Sequence, residues 1–365
     1  MSSLSSASNE AACRFVSSRG LLKSCSIHSS YPRSSSPNDL EHVRQFIVNQ
    51  DKYRHRQTPV GIYVCCDAFQ EFIQTYANQI TVPYIVVSGD GDLTMFHEAV
   101  TREKYHKFLM FMISSNLRGL FSQNMDIQGC RVFLTEKITK LWTANAAIYK
   151  TSDAPKTLED AIQNVTRKLR QFPIGMDYHT ISANPWHRWA IGSTDTAATA
   201  VAPHTPLGQE CTLIREIRDT MKPFYQRKIR IYSNVMLCPD RFNDRVTAIR
   251  EIPAELISPQ TTFIPRIQTW RNMTGFAFVL SPFGNGMDCH RTWEALLCGC
   301  IPIVRSTVFN DLFEGLPVLI VERWSDISLQ LLVTALADFK DKHDKGELKY
   351  EKLDLAYYTK MFSDT

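Results

Sequence analysis

The sequence predicts an α/β protein built on parallel sheet, and three observations carry that expectation. First, Phe276–Leu280 is a short apolar run, a glycine loop follows at 281–286, helical spacing begins near Asp288 and a second apolar run opens at Ile301. An apolar run this short, bounded by turn residues, is a buried strand rather than a helix. Second, helical and strand patterns alternate between residues 40 and 87, as crossover connections in a parallel sheet require. Third, 365 residues, 44% hydrophobic and 21% charged, suffice for two domains of ordinary size.

Composition narrows the partners. The net charge of +4 comes from 41 basic and 37 acidic residues with no run of Lys and Arg, which excludes a nucleic-acid footprint and leaves room for a small anionic ligand. The ten cysteines lack metal-ligand spacing: Cys65 and Cys66 are adjacent, and Cys289, Cys298 and Cys300 lie within one strand–helix–strand unit. They are expected to be buried thiols in a reducing compartment. The longest apolar run, 108–113, falls far short of the ~18 residues a membrane span needs. No apolar core follows the first charges, so the chain reads as cytoplasmic, in a host's cytoplasm if a large virus encodes it.

In chain order, residues 1–36 hold about fourteen serines without periodicity and read as a poorly packed tail. A helix over 40–50, a strand over 61–65, a helix over 68–78 and a strand over 84–87 follow. Ligands of such sheets bind beyond the carboxyl ends of strands, so three segments matter. Asp90-Gly91-Asp92 follows the strand at 84–87, and either carboxylate would face a cleft. Gln123-Asn124 follows a strand over 120–122, suited to sugar hydroxyls or to capping a turn. Asp177-Tyr178-His179 follows an expected strand over 172–176.

Residues 185–206, rich in Ala, Thr, Gly and Pro, read as a linker. A second Rossmann-like unit begins with a helix over 209–221 and a strand over 229–236, after which Arg241 and Arg245 sit one turn apart. In the loop at 281–286, Gly284, Asn285 and Gly286 allow positive backbone torsions and close approach of a ligand. On the helix beyond it, Arg291 can pair with phosphate oxygens and Glu294 can accept from ribose hydroxyls, while the helix dipole favours an anion. Strands over 301–304 and 316–321, a helix over 325–339 and a last helix over 350–361 complete the chain.

The string SPFGNGMDCHRTWEALLCGCIPIV resembles the C-terminal signature of exostosin-like glycosyltransferases, the family 47 type. PYIVVSGDGD, FSQN, FPIGMDYHT and TPLGQE are weaker echoes in that family's order, so the resemblance spans residues 83–321. It implies a GT-B fold, two Rossmann-like domains facing each other across a cleft. The corresponding boundaries are a tail at 1–36, an acceptor-side domain at 37–190, a linker at 191–208, a nucleotide-sugar domain at 209–340 and a returning helix at 341–365.

The implied reaction is inverting transfer of a sugar such as xylose, galactose or a uronic acid from a UDP-linked donor to a glycan or glycoprotein, with no cofactor and no metal. Arg245, Ser281, Gly284, Asn285, Gly286, Asp288, Arg291 and Glu294 would hold the donor. Asp92 or Asp90 would be the base, with Asp177 and His179 behind them. Asp90-Gly-Asp92 also has the spelling of a metal-binding pair. The family's animal and plant members are generally anchored by an N-terminal helix, from which this chain departs. A fucosyltransferase-like enzyme using a GDP-sugar and a catalytically silent sugar-nucleotide or glycan module are the alternatives. A nicotinamide oxidoreductase is disfavoured because neither glycine loop has the third glycine of the dinucleotide fingerprint.

Overall fold

The computed structural model describes residues 9–29, 40–95, 100, 105–144, 155–183, 204–237 and 240–364. The chain divides into two compact units, Met1–Leu21 with Pro173–Tyr358, and Leu22–Phe172 with Thr359–Thr365. Most of the expected linker lies outside the described residues.

One unit holds four parallel strands in the order β1-β2-β3-β4: Val60–Cys65, Tyr84–Gly89, Leu117–Ser122 and Leu169–Gln171. The other holds β5 to β9, Lys228–Ser233, Ile257–Pro259, Phe276–Leu280, Ile301–Arg305 and Leu319–Val321, in the parallel order β6-β5-β7-β8-β9. The architecture is thus mixed α/β with two parallel sheets, compatible with a pair of Rossmann-like domains.

Burial explains why these runs are strands. Every residue of β1 and β2 is buried, the continuous apolar pattern of a sheet covered on both faces. In the five-stranded sheet alternate residues serve opposite faces. Ile231, Phe278, Leu280, Ile301 and Ile303 pack with Trp324, Leu332 and Leu336, whereas Tyr232, Val279 and Val304 pack with Trp270, Trp293 and Leu296. Each buried indole removes enough surface from water for roughly 4 to 6 kcal/mol of gross burial energy. No helix among the described residues is long and apolar enough to cross a membrane.

Three expectations need correction. The strand expected over 172–176 is instead β4 at Leu169–Gln171, and the chain leaves the ladder after Phe172 N–H bonds Ser122 O at 3.2 Å. Pro173 has no N–H to continue it, and Gly175 adopts φ +67°. Residues from Pro173 onward belong to the unit of β5–β9, and Asp177 and His179 go with them. The described part of the expected tail is packed: Ser18–Lys23 is helical, Phe15 is 1% exposed, and the Arg14 and Phe15 N–H groups both bond the Glu210 carboxylate at 2.9 Å. Serine-rich composition hid the buried apolar residues Cys13, Phe15 and Val16. The strand β6 and the helix Arg266–Met273 escaped the sequence reading, the first because three residues carry no period.

At Gly175 backbone freedom is obligatory, since a Cβ there would stand 2.1 Å from Val16 O and φ is left-handed. Gly175→Ala should cost about 2 kcal/mol or more, read as a lower urea midpoint; an unchanged midpoint would show that the Val16 segment moves aside freely.

Candidate functional site

In the five-stranded sheet the chain steps from β5 outward to β6, then returns to the other side of β5 for β7, β8 and β9. Strand order reverses between β5 and β7, and the crevice beyond their carboxyl ends is where open α/β sheets bind ligands. Asn234 follows β5, and 281–286 follow β7. Arg291, in the first turn of the helix His290–Leu297, spans the reversal by donating from Nε to Asn234 Oδ1 at 2.9 Å.

Two more guanidinium groups border the same loop. Arg245 donates from Nε to Phe283 O at 3.3 Å, and its tip lies 3.2 Å from where a Cβ of residue 284 would stand. Arg305, at the end of β8, stacks 4.7 Å over the Phe283 ring and pairs with Asp244 at 3.2 Å. Buried Asp244 also accepts the Phe283 N–H and Trp324 Nε1, both at 2.9 Å. An open depression of about 360 Å³ lies between Phe242, Phe283, Met287, Arg305 and Ser306.

The loop is shaped differently from expectation. Positive φ does not occur at Gly284, Asn285 or Gly286. The loop instead closes on a thiol: Gly284 N–H reaches Cys289 Sγ at 3.1 Å and Gly286 O at 3.1 Å, while Sγ lies 3.5 Å from Gly286 O. Burial pushes the Cys289 thiol up to about 11, which keeps it protonated and able to bond within the loop at neutral pH. Glycine at 284 therefore provides close approach for Arg245, not an unusual torsion.

Of the expected donor residues, Ser281 Oγ is buried against Thr292 Oγ1 at 2.8 Å, and Asn285 is exposed at the loop tip. Asp288 turns inward, with one oxygen accepting Ile174 N–H at 2.6 Å and the other Trp293 Nε1 at 2.7 Å. Glu294 accepts Trp270 Nε1 at 3.1 Å and pairs with Arg266 at 3.5 Å, so it joins two helices.

Arg266, which the sequence reading missed, is the centre of a buried network. It donates to Asp177 Oδ2 at 3.1 Å and Gln209 Oε1 at 3.0 Å, and lies 5.7 Å from the Trp270 ring centre. Asp177 Oδ1 lies 3.2 Å from His179 Nδ1 and accepts Thr180 N–H at 3.0 Å. The His179 ring is 5.5 Å from that of His290, whose Nδ1 meets Gly175 O at 2.7 Å.

Burial works against the Asp177 charge, yet Arg266, His290 and His179 together hold its carboxyl well below the usual range. Burial lowers His179 to about 4 against the opposing pull of Asp177, so its imidazole is neutral near pH 7. Ligand atoms of Asp177, His179 and His290 lie within 4.8 Å of one another, a set a divalent cation can also use.

In the other unit, Asp90 is buried with φ +58°, its N–H 3.3 Å from Gln123 Oε1. Gln123 and Asn124 both donate to Gly91 O, at 3.4 and 3.1 Å, which makes them supports of the Asp90-Gly91 turn. Asp92 is exposed on that turn. Asp67 is raised, first by burial and then by Asp92.

His290 and Asn234 also went unremarked in the sequence. His290 had a signal, since it precedes Arg291 in the same first turn; Arg266 stands four residues before Trp270 on one helix face. Comparison with protein-family models and with curated proteins finds no match for this chain.

The His179 environment predicts an acid limb in stability. Its folded-state pKa lies below the unfolded value near 6.5, so between pH ~6.5 and ~4 only the unfolded chain takes up that proton. Stability should fall as pH drops through this window, by up to about 1.4 kcal/mol per pH unit. Asp177, depressed in the fold, adds a further loss as its unfolded carboxyl protonates at lower pH. Urea midpoints of wild type and His179→Gln would check this; the variant should show a flatter slope above pH ~4, and equal slopes would assign the limb elsewhere.

Proposed function

We propose that the chain is a glycosyltransferase of the GT-B, exostosin-like kind, moving a sugar from a UDP-linked donor to a glycan or glycoprotein acceptor with inversion. The observation that carries this reading is the strand-order reversal, where Arg291 bridges β5 to the β7 loop with Arg245 and Arg305 beside it. Loss of a diphosphate leaving group develops negative charge on its oxygens, and preorganised guanidinium groups stabilise that charge most. Three arginines held by Asn234, Phe283 O and Asp244 need little rearrangement to do so.

The acceptor hydroxyl must lose its proton as it attacks the anomeric carbon and the bond from that carbon to the diphosphate oxygen breaks. His179 is the base in this proposal, oriented by Asp177, with Asp92 and Asp90 as the competing carboxylates. A neutral imidazole can accept the proton, and the adjacent Asp177 charge stabilises the imidazolium that results. Its low basicity means that proton transfer follows bond cleavage, so the base should contribute toward the lower end of the usual ~10² to 10⁴ in rate. The charge on the diphosphate is assigned to arginines alone, and chelator should leave turnover unchanged. If EDTA abolished transfer and manganese restored it, the Asp177, His179 and His290 set or Asp90 and Asp92 would be metal ligands instead.

Donor titration by calorimetry and sugar transfer measured on the same proteins test the roles. Arg291→Ala should lower kcat by about 10² to 10³ and weaken UDP-sugar binding less. His179→Gln should reduce transfer with donor affinity nearly intact, whereas Asp92→Asn should keep it. The opposite result for those two would return the base to Asp92. Nucleotide release from a panel of UDP- and GDP-sugars decides the donor; no release and no transfer, with binding retained, would make the protein a silent nucleotide-sugar module.

Glu294→Ala separates a structural contribution from donor binding. Leaving Arg266 with one carboxylate in a buried site should cost about 3 kcal/mol in stability, visible as a lower melting midpoint without donor present.

A further inference from the structure

The unit of β1–β4 carries a groove of about 1390 Å³ that the proposed reaction does not use. It lies at the amino edge of the sheet, where Pro59, Pro83 and Leu117 enter or precede the strands. Lys107, Arg118, Arg167, Lys168 and Arg170 line it, against one carboxylate among the described lining residues, Asp364. Among the described residues none of these five cations forms an ion pair, although pairs elsewhere in the chain are common.

The sequence brings them together by topology. Arg118 is the exposed position of β3, Arg167 caps the helix Leu158–Thr166, and Lys168 and Arg170 flank Leu169 at the start of β4. Lys168 Nζ is fixed by Met112 O at 2.7 Å and Ser114 O at 2.8 Å. Burial, Arg118 and Arg167 lower it to about 8, and burial, Arg131 and Arg167 lower Arg170 as well. Like charges are thus close enough to repel, and a cleft lined by one sign of charge concentrates ions of the other.

The groove exceeds the ~300 to 1,000 Å³ of small-molecule sites, so its occupant is extended and carries several anionic groups. Of the rings in the described lining, Phe111 is buried and His106 is exposed, so the groove offers one small imidazole rather than the succession of aromatic platforms on which single-stranded nucleic acid stacks. The amides of Gln74, Asn78 and Asn164 line it as well, and Gln74 Nε2 lacks a partner among the described residues. Amides that both donate and accept suit hydroxyl groups.

We propose that this groove binds an acidic polysaccharide, with Arg118, Arg167 and Arg170 on its carboxylates or sulfates and the amides on its hydroxyls. This site is built from one unit alone and does not depend on the transferase reading.

The test uses the full chain and fluorescence anisotropy with labelled polygalacturonate and dextran sulfate, alongside neutral dextran and single-stranded RNA of matched charge. Both acidic polysaccharides should bind, tighter than RNA, and lose about tenfold or more in affinity between roughly 50 and 200 mM salt. Neutral dextran should not bind. Arg118→Gln with Arg167→Gln should weaken binding at least ~10-fold, leave UDP-sugar titration unchanged and raise the melting midpoint at low salt as repulsion is relieved. Arg118→Gln alone, at an exposed strand position, provides a second variant should the double one fold poorly. Tighter binding of RNA, equal binding of neutral dextran, no binding of either acidic polysaccharide, or wild-type affinity in both variants would each overturn the proposal.

Discussion

The unit of β5–β9 depends on one buried guanidinium. Arg266 joins the 177–180 segment through Asp177, the helix Pro206–Thr212 through Gln209 and the helix His290–Leu297 through Glu294. A charge removed from water costs several kcal/mol unless its partners are well placed, so the positions of these segments are mutually constrained. The same carboxylates are thereby fixed: Asp177 is oriented toward His179, and Glu294 toward Trp270. Geometry at the candidate base and along the helix that carries Arg291 follows from a residue that touches neither sugar nor phosphate in the proposed reaction.

Around the strand-order reversal a similar division of labour holds. Asp244 is buried and binds Phe283 N–H, Trp324 and Arg305, which sets the loop after β7 against the end of β8. Cys289 closes the loop from inside. Polar groups that look available for a ligand in the sequence, such as Asp288 and Ser281, are spent on internal bonds. The arginines remain at the crevice because their long stems carry the charge outward.

Cations are managed in opposite ways at the strand-order reversal and in the basic groove. Arg245, Arg291, Arg266 and Arg305 each bond a specified oxygen, whereas Arg118, Arg167 and Lys107 gather in a groove without a carboxylate partner among the described residues. A net charge of +4 conceals this, because composition sums over positions that folding separates.

The sequence by itself determined the α/β class and the element at Phe276–Leu280, since an apolar run between turn residues has one stable use in such a chain. It also determined the start of β8 and the end of the preceding helix, where Gly299 takes φ +65° as a helix terminator should. The helix near 40–50 was legible from the same spacing. Tertiary structure alone decided the rest. That Asp177 and His179 join the unit of Arg291 depends on Pro173 and Gly175 leading the chain out of β4, a boundary that no composition shift marks. That Glu294 meets Arg266, and that Gln123 and Asn124 support the Asp90 turn, depends on contacts between segments tens of residues apart. A carboxylate's sequence neighbours show which atoms it offers; its partners across the fold decide whether those atoms are left for a ligand.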